Sequence, residues 1–111
     1  MWQQANSLSV LVYRATEGFP ADERFGLTSQ MRRAAVSIQS NIAEACGRGT
    51  PADTARLLQV AIGSAAELAS QIHLSRDLGW LQPEAYEQLD DCASHVRRML
   101  IRLLLRVRGP C

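Results

Sequence analysis

Three short breaks divide this sequence into four long stretches, and within each stretch apolar side chains recur every three or four residues. The breaks fall at Gly18-Phe19-Pro20, at Gly47-Arg48-Gly49-Thr50-Pro51 and at Gly79 through Pro83. Glycine is suited to closing a helix, and proline cannot continue one but fits its first turn. The three-to-four spacing gathers the apolar groups on one face of an α-helix. Amphipathic helices joined by such short links pack as antiparallel neighbours. The expected fold is therefore all-α: an antiparallel up-down-up-down four-helix bundle, with helices over about residues 2–17, 28–46, 51–78 and 83–108 in a single domain spanning 1–111.

Each helix carries its own stripe. In the first it is Trp2, Ala5, Leu8, Val12, Ala15 and Phe19; in the second, Leu27, Met31, Ala34, Ile38, Ile42 and Ala45. The third has Leu57, Ala61, Ala65, Leu68 and Ile72, widened by Leu58, Ile62 and Ala69. The fourth has Ala85, Leu89, Cys92, Val96, Met99 or Leu100, Leu103 and Val107. Gly18 is the expected cap of the first helix. Thr28 or Ser29 is the expected N-cap of the second, and Thr50 that of the third, with Pro51 and Asp53 in its first turn. Gly63 lies within the third helix beside Ser64, Ala65 and Ala66, and is expected to mark a close approach of another helix, with Ala34, Ala35 and Ala43 facing it.

The chemistry to be found is limited. With 47% hydrophobic residues and a net charge of +1, the chain reads as compact and soluble rather than disordered. All 12 basic residues are arginines, rigid planar donors matched to carboxylates and phosphates. Cys46, Cys92 and Cys111 are too scattered for a disulfide framework, which points to a reducing, cytoplasmic setting. No signal peptide is expected, since the chain runs from Met1 straight into an amphipathic pattern. The longest apolar run, 99–105, is interrupted by Arg102 and too short to span a bilayer. His73 and His95 have no acid or nucleophile at telling spacing, and Cys92 with His95 makes at most half a metal site. Gly47-Arg48-Gly49 could hold an anion at a helix start, but a plain turn is the better reading. The expectation is a protein that is not an enzyme and that needs no cofactor or metal.

Two helices carry more than a bundle core requires. Opposite its buried stripe the second presents Arg33, Ser37, Asn41, Glu44 and Arg48, a polar ladder able to bond within the chain or to a neighbouring one. On the fourth, Ile101 and Leu105 are expected to face away from the core, flanked by Arg97 and Arg108 on one side and by Arg98, Arg102 and Arg106 on the other. Two outward aliphatics, with Val10, Leu11, Val36 and Val60 on the other helices, suggest a homo-oligomer with Ile101 and Leu105 in its interface. After Asp91 no acidic residue follows, so the five arginines form a basic stripe that can track RNA or DNA phosphates. Asp53, Glu67, Glu84 and Glu87 are the carboxylates that could instead meet those arginines across an interface.

A resemblance sharpens this picture. Gly26-Leu27, Gln30-Met31-Arg32-Arg33-Ala34-Ala35-Val36-Ser37-Ile38, Asn41-Ile42-Ala43-Glu44 and Gly47-Arg48 resemble the signature of small bacterial four-helix-bundle proteins encoded within intervening sequences of 23S ribosomal RNA genes. Ala61-Ile62-Gly63-Ser64, Glu67-Leu68, Gln71, Leu78-Gly79, Trp2-Gln3 and Phe19-Pro20 agree with it. Gln39 and Ala45 depart from it, standing where members commonly carry Pro and Gly, and both favour an unbroken second helix. The resemblance implies a ring, typically a pentamer, in which Arg32, Arg33, Ser37, Asn41, Glu44 and Arg48 are motif positions. It also implies kinship with the accessory variability determinant proteins of diversity-generating retroelements, similar pentamers that bind nucleic acid and a reverse transcriptase through a basic surface.

Overall fold

The computed structural model describes residues 1–47 and 49–109. Arg48, Pro110 and Cys111 lie outside the described residues, and with them the expected ladder rung at Arg48, the anion-holding loop built on it and the helix stop at Pro110. The described chain is all-helical: α1 (Trp2–Thr16), α2 (Leu27–Gly47), α3 (Pro51–Asp77) and α4 (Pro83–Arg108), with a 3-10 turn at Ala21–Phe25 between α1 and α2. The order is up-down-up-down. α1 packs on α2, α2 on α3, α3 on α4 and α4 back on α1, while α1 and α3, like α2 and α4, stand across the core from each other.

The core follows the stripes. Ala5, Leu8 and Val12 of α1, Met31, Ile38 and Ile42 of α2, and Leu58, Ala61, Leu68 and Ile72 of α3 are fully buried. α4 corrects the expectation. Its buried residues are Leu89, Ala93, Val96, Leu100 and Leu104, whereas Cys92, Leu103 and Val107 are only half-buried against the core. The buried face is turned by roughly 40° from the expected stripe, less than half the rotation between successive residues. Burial pushes the Cys92 thiol pKa up, in keeping with packing rather than ligation. Trp2, expected in the core, is 44% exposed.

The helix ends show which local signals decide. Thr50 Oγ1 accepts from Asp53 N at 3.2 Å, with Pro51 in the first turn, as its position implies. Gly79 takes the left-handed conformation at φ 79°, and Trp80 N donates to Ser75 O while Gly79 N donates to Arg76 O, closing α3 as expected. Gly18 does not play that part: α1 ends at Thr16, whose hydroxyl bonds back to Val12 O at 2.8 Å, and the φ of Gly18 is not positive. Thr28 and Ser29 are not the N-cap of α2 either. The helix already begins at Leu27, and Glu23 Oε1 accepts from Leu27 N at 3.0 Å in their place. Gly63 marks no close approach: it is exposed, and a Cβ there would meet nothing within 4 Å. The tight contact between α2 and α3 is one residue on, where the Ser37 and Ser64 hydroxyls lie 2.9 Å apart. Among the described residues, no helix is long and apolar enough to cross a membrane.

Candidate functional site

The polar ladder of α2 divides. Asn41 Nδ2 donates to Ser37 O at 2.8 Å and to Ser37 Oγ at 3.2 Å, and Ser37 in turn meets Ser64. These rungs are satisfied inside the chain, bonding α2 to α3. Arg32 also works internally: its Nε donates to Thr16 Oγ1 at 2.9 Å, and its guanidinium lies 4.5 Å from the centre of the Tyr13 ring. Glu44 is exposed. Arg33 is exposed too, and among the described residues it makes no hydrogen bond or ion pair.

Arg33 belongs to a feature with no sequence signature. A hollow of about 530 Å³ opens between α1 and the first half of α2, lined by Tyr13, Arg24, Arg32, Arg33, Val36 and Ser37 among others. It holds three guanidinium groups and no carboxylate. Arg24 lies over the ring of Phe25, 4.8 Å from its centre, and Phe25 is 83% exposed. Linear spacing hides this grouping, because Tyr13 and Arg24 reach it from α1 and from the connecting turn. The only trace in the sequence is the pair Arg32-Arg33 within one turn of Ser29 and Val36.

The basic stripe of α4 stands apart from acids. Arg97, Arg98, Arg102, Arg106 and Arg108 are all exposed, and among the described residues none has a carboxylate within salt-bridge distance. The acids of this helix, Glu84, Glu87, Asp90 and Asp91, all fall in its first half. That order suits the helix dipole, which favours negative charge near the N-terminus and positive charge near the C-terminus. Leu105 is 64% exposed, on the outer surface as the sequence implies. Ile101 is not: it is half-buried at the α3 flank, lining a hollow of about 150 Å³ with Ala65, Ala69, Ala93, Arg97 and Arg98. The turned core face of α4 brings it there.

One further cluster joins α3 to α4. His73, unpaired on spacing alone, has Tyr86 Oη at 3.4 Å and Asp90 Oδ1 at 3.9 Å, and Arg76 lies 4.5 Å from the centre of the Tyr86 ring. The groups are open to solvent and serve as a surface clasp between the two helices. Among the described residues no group of three or more His, Cys, Asp or Glu side chains is placed to hold a metal ion.

An antiparallel four-helix bundle with a long exposed arginine face and small polar side chains bonding its second helix to its third is the class of protein this geometry defines. The sequence model of one such class, the 23S rRNA-intervening sequence proteins, matches residues 1–102, and the chain belongs to that family. Its fold is similar to the crystal structure of a protein of unknown function from the S23 ribosomal protein family of Bacteroides thetaiotaomicron, with a TM-score of 0.83 and 22% identity over 93% of this chain and 96% of that one. At that identity the likeness establishes the fold alone. No curated protein matches the chain.

Proposed function

We propose that this protein is a non-enzymatic assembly module of the bacterial cytoplasm, in which identical bundles close into a ring, a pentamer by family resemblance, that serves as a scaffold for RNA or a protein partner. The observation that carries this reading is the apolar surface left after the core is filled. Val10, Val36, Val60 and Leu105, one on each helix, are each at least 38% exposed and lie outside the bundle core. Such surface on a small chain marks contact with another molecule. Leu11 is no part of it, since it packs partly on the core. Light scattering at micromolar concentration tests the ring, and a monodisperse monomer would remove the proposal.

A second reading has its own support. Among the described residues no acid neutralises the five exposed arginines of α4, and three of them, Arg98, Arg102 and Arg106, recur at single-turn steps. Such a stripe suits a nucleic-acid-binding accessory of the retroelement or reverse-transcriptase type. Fluorescence polarisation with labelled RNA and DNA at two salt concentrations separates the readings, because phosphate contacts weaken steeply as salt rises. Absence of binding at low salt would leave the arginines a structural role only.

A further inference from the structure

Two opposite faces of this bundle carry opposite charge at the same end. α1 and α2 form one edge and α3 and α4 the edge across from it. On the α1–α2 edge lies the hollow with Arg24, Arg32 and Arg33, which contains no carboxylate. On the other, the first half of α4 carries Glu84, Glu87, Asp90 and Asp91, of which Asp90 alone is engaged among the described residues, by His73 at 3.9 Å. Both patches lie where α2 and α4 begin. At about 1.5 Å per residue, Arg33 is roughly 9 Å along α2, and Glu87 and Asp91 are roughly 6 and 12 Å along α4.

We propose that these two edges form one interface between copies of this chain. The start of one copy's α4 seats its carboxylates in the arginine hollow of the next. The inference rests on the ring reading above and names the surfaces that would build it. The two edges are unlike, so the contact is head-to-tail and repeats until it closes. Copies related by rotation about an axis along the bundle keep every residue at its own height. The partners must then be level with one another, as the arginines and carboxylates are. Arg102 and Arg106, farther along α4 than the carboxylates, stay outside this contact.

Charge reversal and its rescue test the pairing, read as molar mass by light scattering, with circular dichroism to follow helix content. Arg24→Glu with Arg33→Glu makes one variant, and Glu87→Arg with Asp91→Arg another. All four positions are exposed. Each variant should keep its helix content and associate about 100-fold more weakly than the wild type, because like charges then face each other. The fourfold variant should regain the wild-type mass. A wild-type oligomer that neither double variant weakens, or that the fourfold variant fails to restore, would overturn this pairing while leaving the ring in place. A wild-type monomer would remove both. Loss of oligonucleotide binding by the Arg24/Arg33 variant with its mass unchanged would assign the hollow to nucleic acid and overturn the pairing.

Discussion

Arg32 ties the last turn of α1 to the first half of α2, donating from Nε to Thr16 Oγ1 at 2.9 Å while its guanidinium covers the Tyr13 ring. The Thr16 hydroxyl completes the link by donating to Val12 O at 2.8 Å. Arg32 Nη2 also donates to Tyr13 O at 3.3 Å, so Arg32→Ala should destabilise the bundle by about 1–2 kcal/mol, the sum of these hydrogen bonds and a cation–π contact at a partly exposed site. Arg32→Lys should recover little of it, because an ammonium lacks the planar fork that reaches both groups. Thermal unfolding followed by circular dichroism measures this, and an unchanged midpoint in the alanine variant would show that the link contributes nothing.

Gly63 is exposed within α3 and has open space where a Cβ would stand. Gly63→Ala should stabilise the chain by about 0.5–1 kcal/mol, since alanine loses less backbone entropy on entering a helix. The denaturation midpoint in urea should rise with the slope unchanged. A fall would mean that another copy approaches at this position.

At Gly26 the same substitution should have the opposite sign. A Cβ there would stand 2.8 Å from Glu23 Oε1, the atom that caps Leu27 N. The carboxylate would be displaced and the first amide of α2 left unbonded, at a loss of about 1 kcal/mol. Glu23→Ala should produce a similar loss by removing the same cap. If both act through that one bond, the double variant should be scarcely less stable than either single variant. Additive losses would place the effect of Gly26 elsewhere.

Arg98, Arg102 and Arg106 can be removed together without touching the core. The triple glutamine variant should melt like the wild type. If the stripe binds nucleic acid, affinity should fall by about 10-fold or more at low salt, and the dependence of log K on log salt should become shallower by about 1 for each phosphate that is no longer neutralised. Equal binding by the two proteins would exclude the stripe.

The four helices and most of the core are legible in the linear sequence because both depend on spacing. Ile38 and Ile42, or Leu68 and Ile72, one turn apart, can only share a face. The α4 stripe is displaced because Cys92, Leu103 and Val107 are as apolar as Ala93 and Leu104, and spacing alone cannot choose between adjacent stripes on a helix so rich in leucine. The turn of α4 about its axis, which carries Ile101 inward, is set by packing on α3. The caps divide the same way. Thr50 and Gly79 act through neighbours in sequence, whereas Glu23 reaches the start of α2 only because a 3-10 turn at Ala21–Phe25 folds it back. The arginine hollow depends on residues from α1, from the connecting turn and from α2, and no linear motif brings these together. By contrast the five arginines of α4 are visible at once, since one helix carries them all.

The ring of Phe19, from the link between α1 and α2, lies 5.5 Å from that of Trp80, from the link between α3 and α4, at an interplanar angle of 55°. The molecule is thus clasped at one end, where both hairpins turn, while among the described residues no ring pair joins the start of α1 to the end of α4. Opening should then be directional. Amide protons in the first turns of α1 and the last turns of α4 will exchange with solvent through fraying. Those beneath the aromatic clasp will exchange only when the whole bundle unfolds.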